Sequence, residues 1–141
     1  MITKIRNNLY LGDSNSCLSF EKPNTELDLS KWRFDLEPMS NEAQRKEIWG
    51  CIHIILNAMD SDLPILVKCH GGIDRSPFIV SCALFVENFV NTYHKDDYPR
   101  HYQVAMSFYE LVKSIHSATF IHDDWMRWFT SKTDILVEAE Q

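Results

Sequence analysis

The segment Ile65-Leu66-Val67-Lys68-Cys69, a short loop, and the almost wholly apolar block Phe78–Val86 constrain this chain more than anything else in it. The first segment has the length and composition of a buried strand, with Pro64 at its start. The block predicts a helix buried on nearly all sides, running from about Pro77 to Val90. Pro77 suits its first turn, where a missing N–H has no helical partner to lose. A strand therefore ends at Cys69 and a helix begins near Arg75 and Ser76, with a compact turn between them.

Such a turn suits an oxyanion. Amide groups in a tight loop and at a helix start carry partial positive charge and point at a common centre. Gly71 and Gly72 let the backbone approach closely and take positive φ. Arg75 can clamp two oxygens of one anion in a plane. The same field favours the thiolate of Cys69, the form that acts as a nucleophile. Ser76 can donate to that sulfur or help it leave. The competing interpretation, an inert core cysteine in a glycine-rich turn, explains neither Arg75 nor Ser76.

Cys69, five residues, Arg75 and Ser76, with Gly72 third after the cysteine, resemble the C-x5-R-[ST] loop of cysteine-dependent protein phosphatases. The opening Lys4-Ile5-Arg6-Asn7-Asn8-Leu9-Tyr10-Leu11-Gly12-Asp13 is similar to the start of dual-specificity phosphatase domains. The resemblance spans roughly residues 2–130. It implies an α/β fold, a small and mostly parallel sheet flanked by helices in three layers. It also implies a phosphocysteine intermediate, with phosphate bound by His70, Gly71, Gly72, Ile73, Asp74 and Arg75. Three features depart from the family pattern. Lys68 stands where a histidine is usual, Asp74 where a small residue is common, and the segment between Gly12 and Trp32 is short.

The family places an aspartate on a loop ahead of the long helix, as general acid and then base. Asp35, after Trp32-Arg33-Phe34, fits that position, and Glu37 just before Pro38 is the alternative. Asp74 is a third candidate. Its competing role is structural, as an acid bonded to loop amides or to Arg75, because a carboxylate facing a phosphate dianion repels it. His70 reads as an exposed loop residue. His53, His94, His101, His116 and His122 have no spacing that suggests a metal site.

With 141 residues and a net charge of −6 the chain is expected to form one domain over 1–132, with a flexible acidic tail over 133–141. The acidic balance argues against nonspecific binding to nucleic acid or to an anionic membrane. No apolar run reaches membrane-spanning length and no signal-peptide pattern opens the chain, so a cytoplasmic location is expected; the chain is also expected to be a monomer. Cys17, Cys51, Cys69 and Cys82 form no C-x-x-C pair, which suggests neither a zinc site nor a disulfide framework. Cys51 and Cys82 read as core thiols and Cys17 as an exposed one.

Elsewhere, residues 2–12 predict a strand and turn with Ile5, Leu9 and Leu11 inward. Residues 14–30 read as loop with at most a helical turn. Trp32–Glu37 alternates as a strand. A helix is expected over about 41–59, with Ile48, Cys51, Ile52, Ile55, Leu56 and Met59 at helical spacing. Another spans His101–His116, with Val104, Phe108, Leu111 and Ile115 on one face. A short last helix starts at Asp123-Asp124 and carries Trp125, Trp128 and Phe129 into the core.

The function implied is a protein phosphatase acting on phosphotyrosine, and on phosphoserine and phosphothreonine, with no metal or organic cofactor. Cys69, Arg75, Ser76 and Asp35 carry the chemistry. The alternatives are a phosphatase of an inositol lipid or an RNA 5′ end, a phosphate-binding module without catalysis, and another Cys-loop enzyme such as a sulfurtransferase or arsenate reductase. The Leu9-Tyr10-Leu11-Gly12 opening weighs against the last.

Overall fold

The computed structural model describes residues 2–13, 26–29, 42–70, 73–91 and 98–131. Within them the chain is a small α/β protein with a four-stranded mixed sheet and four helices. The strands are β1 (Ile2–Arg6), β2 (Leu9–Asp13), β3 (Glu26–Asp28) and β4 (Ile65–Cys69). The helices are α1 (Glu42–Asp60), α2 (Arg75–Asn91), α3 (Tyr98–Ile115) and α4 (Asp123–Ser131).

The sheet order is β1-β2-β4-β3, with β1–β2 antiparallel and both neighbours of β4 parallel to it. β4 is buried along its whole length, as a largely apolar sequence broken only by Lys68 suits a strand covered on both faces. The strand-and-turn expected over residues 2–12 is instead a hairpin. Asn7 and Asn8 form its two-residue connection, and Asn8 takes φ of 67°, a left-handed conformation that asparagine tolerates. Ile5, Leu9 and Leu11 are buried, as the alternation predicts.

A second departure is β3, which lies inside the segment expected to be loop. Two of its three residues are acidic, so its propensity is poor. Pairing with β4 makes it a strand. The expected strand over Trp32–Glu37, Cys17, His94 and the tail at 133–141 lie outside the described residues.

α1 ends in a paired-bond stop: the Leu63 amide donates to Ala58 O at 2.9 Å, and the Asp62 amide to Met59 O at 3.2 Å. Asp62, at φ 56°, fills the left-handed position usually given to glycine. Its side chain also accepts from Asn8 Nδ2 at 2.6 Å, tying the helix end to the hairpin.

α2 is the centre of the core. Phe78, Ile79, Val80, Cys82, Ala83 and Val86 are fully buried, and the helix packs on β4, α1 and α3. Phe78 meets Tyr109, Trp125 and Phe129 with ring centroids 5.4–6.4 Å apart. The one polar side chain within the apolar block, Ser81, donates to Pro77 O at 2.7 Å.

The inward face of α3 differs from the expected one by a single residue. His101, Ala105, Tyr109, Val112 and, just past the helix end, His116 are buried, whereas Leu111 and Ile115 are 48% and 40% exposed. The reason is chemical: the Tyr109 phenol and the two imidazoles occupy positions that a count of aliphatic residues assigns to solvent. Trp125 and Phe129 of α4 are buried and Trp128 is half-buried.

Candidate active site

The site sits where β4 ends and α2 begins. Cys69 is the last residue of β4 and is 1% exposed; Ser76, second in α2, is fully buried. Their side chains meet, with Cys69 Sγ 3.2 Å from Ser76 Oγ. The carboxyl end of a strand beside a helix N-terminus is where open α/β sheets place ligands. Here it brings together a thiol and a hydroxyl, with Arg75 as the first residue of the helix.

Asp74 caps the helix. Its carbonyl accepts from the Phe78 amide at 3.1 Å, the first helical bond, while Oδ1 accepts from the Arg75 amide at 2.8 Å. Its other oxygen, Oδ2, lies 3.5 Å from His122 Nε2. The carboxylate is thus bonded to the first amide of α2.

Arg75 is half-buried, and its Nη1 donates to Leu29 O at 3.2 Å. Leu29 follows β3, and its own amide donates to Lys68 O at 2.7 Å. β3 therefore extends the sheet and also anchors the arginine. Sequence reasoning had no signal for this, because a backbone carbonyl leaves no trace in residue identity.

Lys68 is 9% exposed, and its Nζ lies 3.0 Å from Glu26 Oε2. The register explains the pair. Asp28 stands opposite Lys68, and Glu26, two residues away, shares its face of the strand. Strand alternation directs Lys68 and Cys69 to opposite faces of the sheet, so this ammonium is held by β3 rather than beside the sulfur.

The segment joining α3 to α4 completes the surroundings. The Phe120 amide donates to Ile73 O at 2.7 Å, and His122 stacks on Trp125 at 3.6 Å. Ile73 and Phe120 are 47% and 58% exposed, so apolar surface flanks the loop. Neither His122 nor Phe120 stands out in the sequence as a site residue. Their approach to the loop depends on α3 and α4 packing together.

His70 is exposed. Gly71, Gly72 and two of the three acid candidates, Asp35 and Glu37, lie outside the described residues. Cys51 and Cys82 belong to the core. Burial, with a smaller contribution from the charge of Glu47, pushes the Cys51 thiol up to about 12, and burial alone pushes Cys82 well up. Among the described residues no three His, Cys, Asp or Glu side chains gather as a metal site would, and no helix is long and apolar enough to cross a membrane. No family model, curated protein or solved structure matches the chain.

Proposed function

We propose that this chain is a single-domain cysteine-dependent phosphatase of the dual-specificity type, with the three-layer fold of that family. The observation that carries the proposal is the 3.2 Å contact of Cys69 Sγ with Ser76 Oγ at the strand-to-helix turn that also bears Arg75. A core thiol would need no such partner, and Cys82, buried in the same helix, packs among apolar neighbours.

In the first step the Cys69 thiolate attacks phosphorus and the P–O bond to the leaving group breaks. Asp35, or Glu37 in its place, delivers the proton to the departing oxygen. The Arg75 guanidinium and the amides of residues 70–74 hold the equatorial oxygens and stabilise the charge that develops on them, the Arg75 amide being taken by Asp74 Oδ1. In the second step the same carboxylate takes a proton from water, which attacks phosphorus. The S–P bond breaks, inorganic phosphate forms, and Ser76 donates to the sulfur as it leaves. No metal or organic cofactor enters the scheme.

The substrate we favour is a phosphorylated protein, phosphotyrosine before phosphoserine or phosphothreonine, met by a cytoplasmic monomer. The exposed side chains of Ile73 and Phe120 beside the loop suit an aromatic ring. The net charge of −6 disfavours a polyanionic lipid headgroup or RNA.

Turnover of para-nitrophenyl phosphate, then of a phosphotyrosine peptide beside a phosphoinositide, tests this. Wild type is expected to release phosphate from the first two and Cys69→Ser from none. Faster turnover of the phosphoinositide would transfer the activity to non-protein phosphates. A wild type as inactive as Cys69→Ser, with both binding the phosphopeptide, would make the chain a binding module.

A further inference from the structure

An acid inside an anion-binding loop needs something to restrain it. Asp74 precedes Arg75, and its negative charge would repel a bound phosphate dianion unless another group held it. Each of its oxygens faces a nitrogen. Oδ1 accepts from the Arg75 amide at 2.8 Å, and Oδ2 lies 3.5 Å from His122 Nε2. The second distance is within ion-pair reach but longer than a hydrogen bond.

His122 is held for this task from several directions. Its amide donates to the Tyr109 hydroxyl at 3.1 Å, and that hydroxyl donates to Phe120 O at 3.3 Å. Tyr109 is fully buried, and burial pushes its phenol up, so it stays a neutral donor. The His122 ring lies against Trp125 at 3.6 Å with planes 15° apart, and Phe120 approaches it at 4.8 Å. Phe120 in turn is bonded through its amide to Ile73 O. The imidazole therefore has little room to turn, yet Nε2 is buried and makes no hydrogen bond. A buried polar nitrogen left that way is costly, and Asp74 Oδ2 is the group across from it.

We infer that His122 is a positioning residue for the Cys69–Arg75 loop. When an oxyanion occupies the loop, Nε2–H closes onto Asp74 Oδ2 and holds that carboxylate on the Arg75 amide, so that two donors offset its charge and it does not turn toward the anion. This inference rests on the phosphatase reading and adds to it a residue from a distant element. It explains how the loop accommodates an acid where a small residue is usual.

Tungstate, a phosphate-like oxyanion, reads the effect by calorimetry without turnover. His122→Phe keeps an aromatic ring on Trp125 and removes the donor. It is expected to weaken tungstate binding by about tenfold, the scale of one hydrogen bond to a charged group, and to lower kcat by a similar factor. His122→Gln, which retains a donor, should recover most of both. In an Asp74→Asn background, His122→Phe should cost little more, because the charge it restrains is gone. His122→Leu carries the same comparison if the phenyl ring disturbs the stack.

Wild-type affinity in a folded His122→Phe chain, or an equal loss with and without Asp74, would overturn the inference alone. A wild type that binds no tungstate would overturn the phosphatase reading and the inference with it.

Discussion

Cys69 Sγ and Ser76 Oγ lie 3.2 Å apart, both shut away from solvent, although one ends a strand and the other opens a helix. A hydroxyl so placed can donate to a thiolate, and again to the sulfur as it leaves phosphorus. If the proposed phosphatase mechanism operates, Ser76→Ala should lower kcat by roughly tenfold to a hundredfold, the range of a hydrogen bond to a charged group. Breakdown of the phosphocysteine should suffer most, so rapid mixing should show a burst of nitrophenol before the slow steady state. Ser76→Thr keeps the hydroxyl and should restore turnover. Loss of activity without a burst would mean that the serine acts only on the attack step.

Lys68 and Glu26 are joined across two parallel strands, with Lys68 Nζ 3.0 Å from Glu26 Oε2. The lysine side chain is 11% exposed and the glutamate 37%, which places the pair between surface and interior. After discounting for that exposure, Glu26→Gln should destabilise the chain by about 1 kcal/mol. Lys68→Met should cost less, since it removes the ammonium that needs solvation and leaves an apolar stem of similar length. Urea unfolding of both variants checks the order. If Lys68→Met proved the more damaging, the ammonium would have a role beyond this pair.

Much of this site is legible in the residues, and what is not has physical reasons. The β4–loop–α2 unit announces itself because buried strands and helices need largely apolar sequence. By contrast, β3 is three residues long with acids at both ends, and it becomes a strand only by pairing with β4. The face of α3 shifts by one residue because Tyr109 can be buried once its hydroxyl is satisfied by Phe120 O and the His122 amide. Periodicity has no access to such partners. The Arg75 bond to Leu29 O spans 46 residues and ends on a backbone atom, so no pattern of side chains encodes it.

The three described cysteines should differ sharply in reactivity. Burial and the Glu47 charge raise the Cys51 thiol to about 12, and burial raises Cys82, so both remain protonated and unreactive near neutral pH. Cys69 lies in the proposed anion site, where iodoacetate is drawn in as an anion. Brief treatment of the native protein should alkylate Cys69 well before Cys51 or Cys82, and inorganic phosphate should slow it. Peptide mass mapping reads all three at once. Cys69 as inert as Cys82, with or without phosphate, would mean that its sulfur is an ordinary core thiol.

At the start of α4, Asp123 accepts from the Tyr102 hydroxyl and, at 2.6 Å, from Arg127 Nε, while the Arg127 guanidinium lies 4.4 Å over the Tyr102 ring. The Tyr102 bond first, then Arg127, holds the Asp123 carboxyl below its ordinary 3.8, and the Asp123 bond first holds the Tyr102 phenol above its ordinary 10.0. A carboxyl lowered on folding adds stability that is fully present above its unfolded value and lost as pH falls through the folded one. A phenol raised on folding adds stability below its unfolded value and loses it as pH rises through the folded one. The network should therefore weaken below about pH 4 and above about pH 10 and be steady between. Asp123 and Arg127 are exposed and Tyr102 is half-buried, so the effect is small and salt should diminish it. Melting temperatures of wild type and Asp123→Asn, followed from neutral pH down past pH 4, isolate this contribution from the other carboxyls. Wild type should lose its advantage over the variant as the acid limb is crossed, and parallel curves throughout would show that the Asp123 network does not stabilise α4.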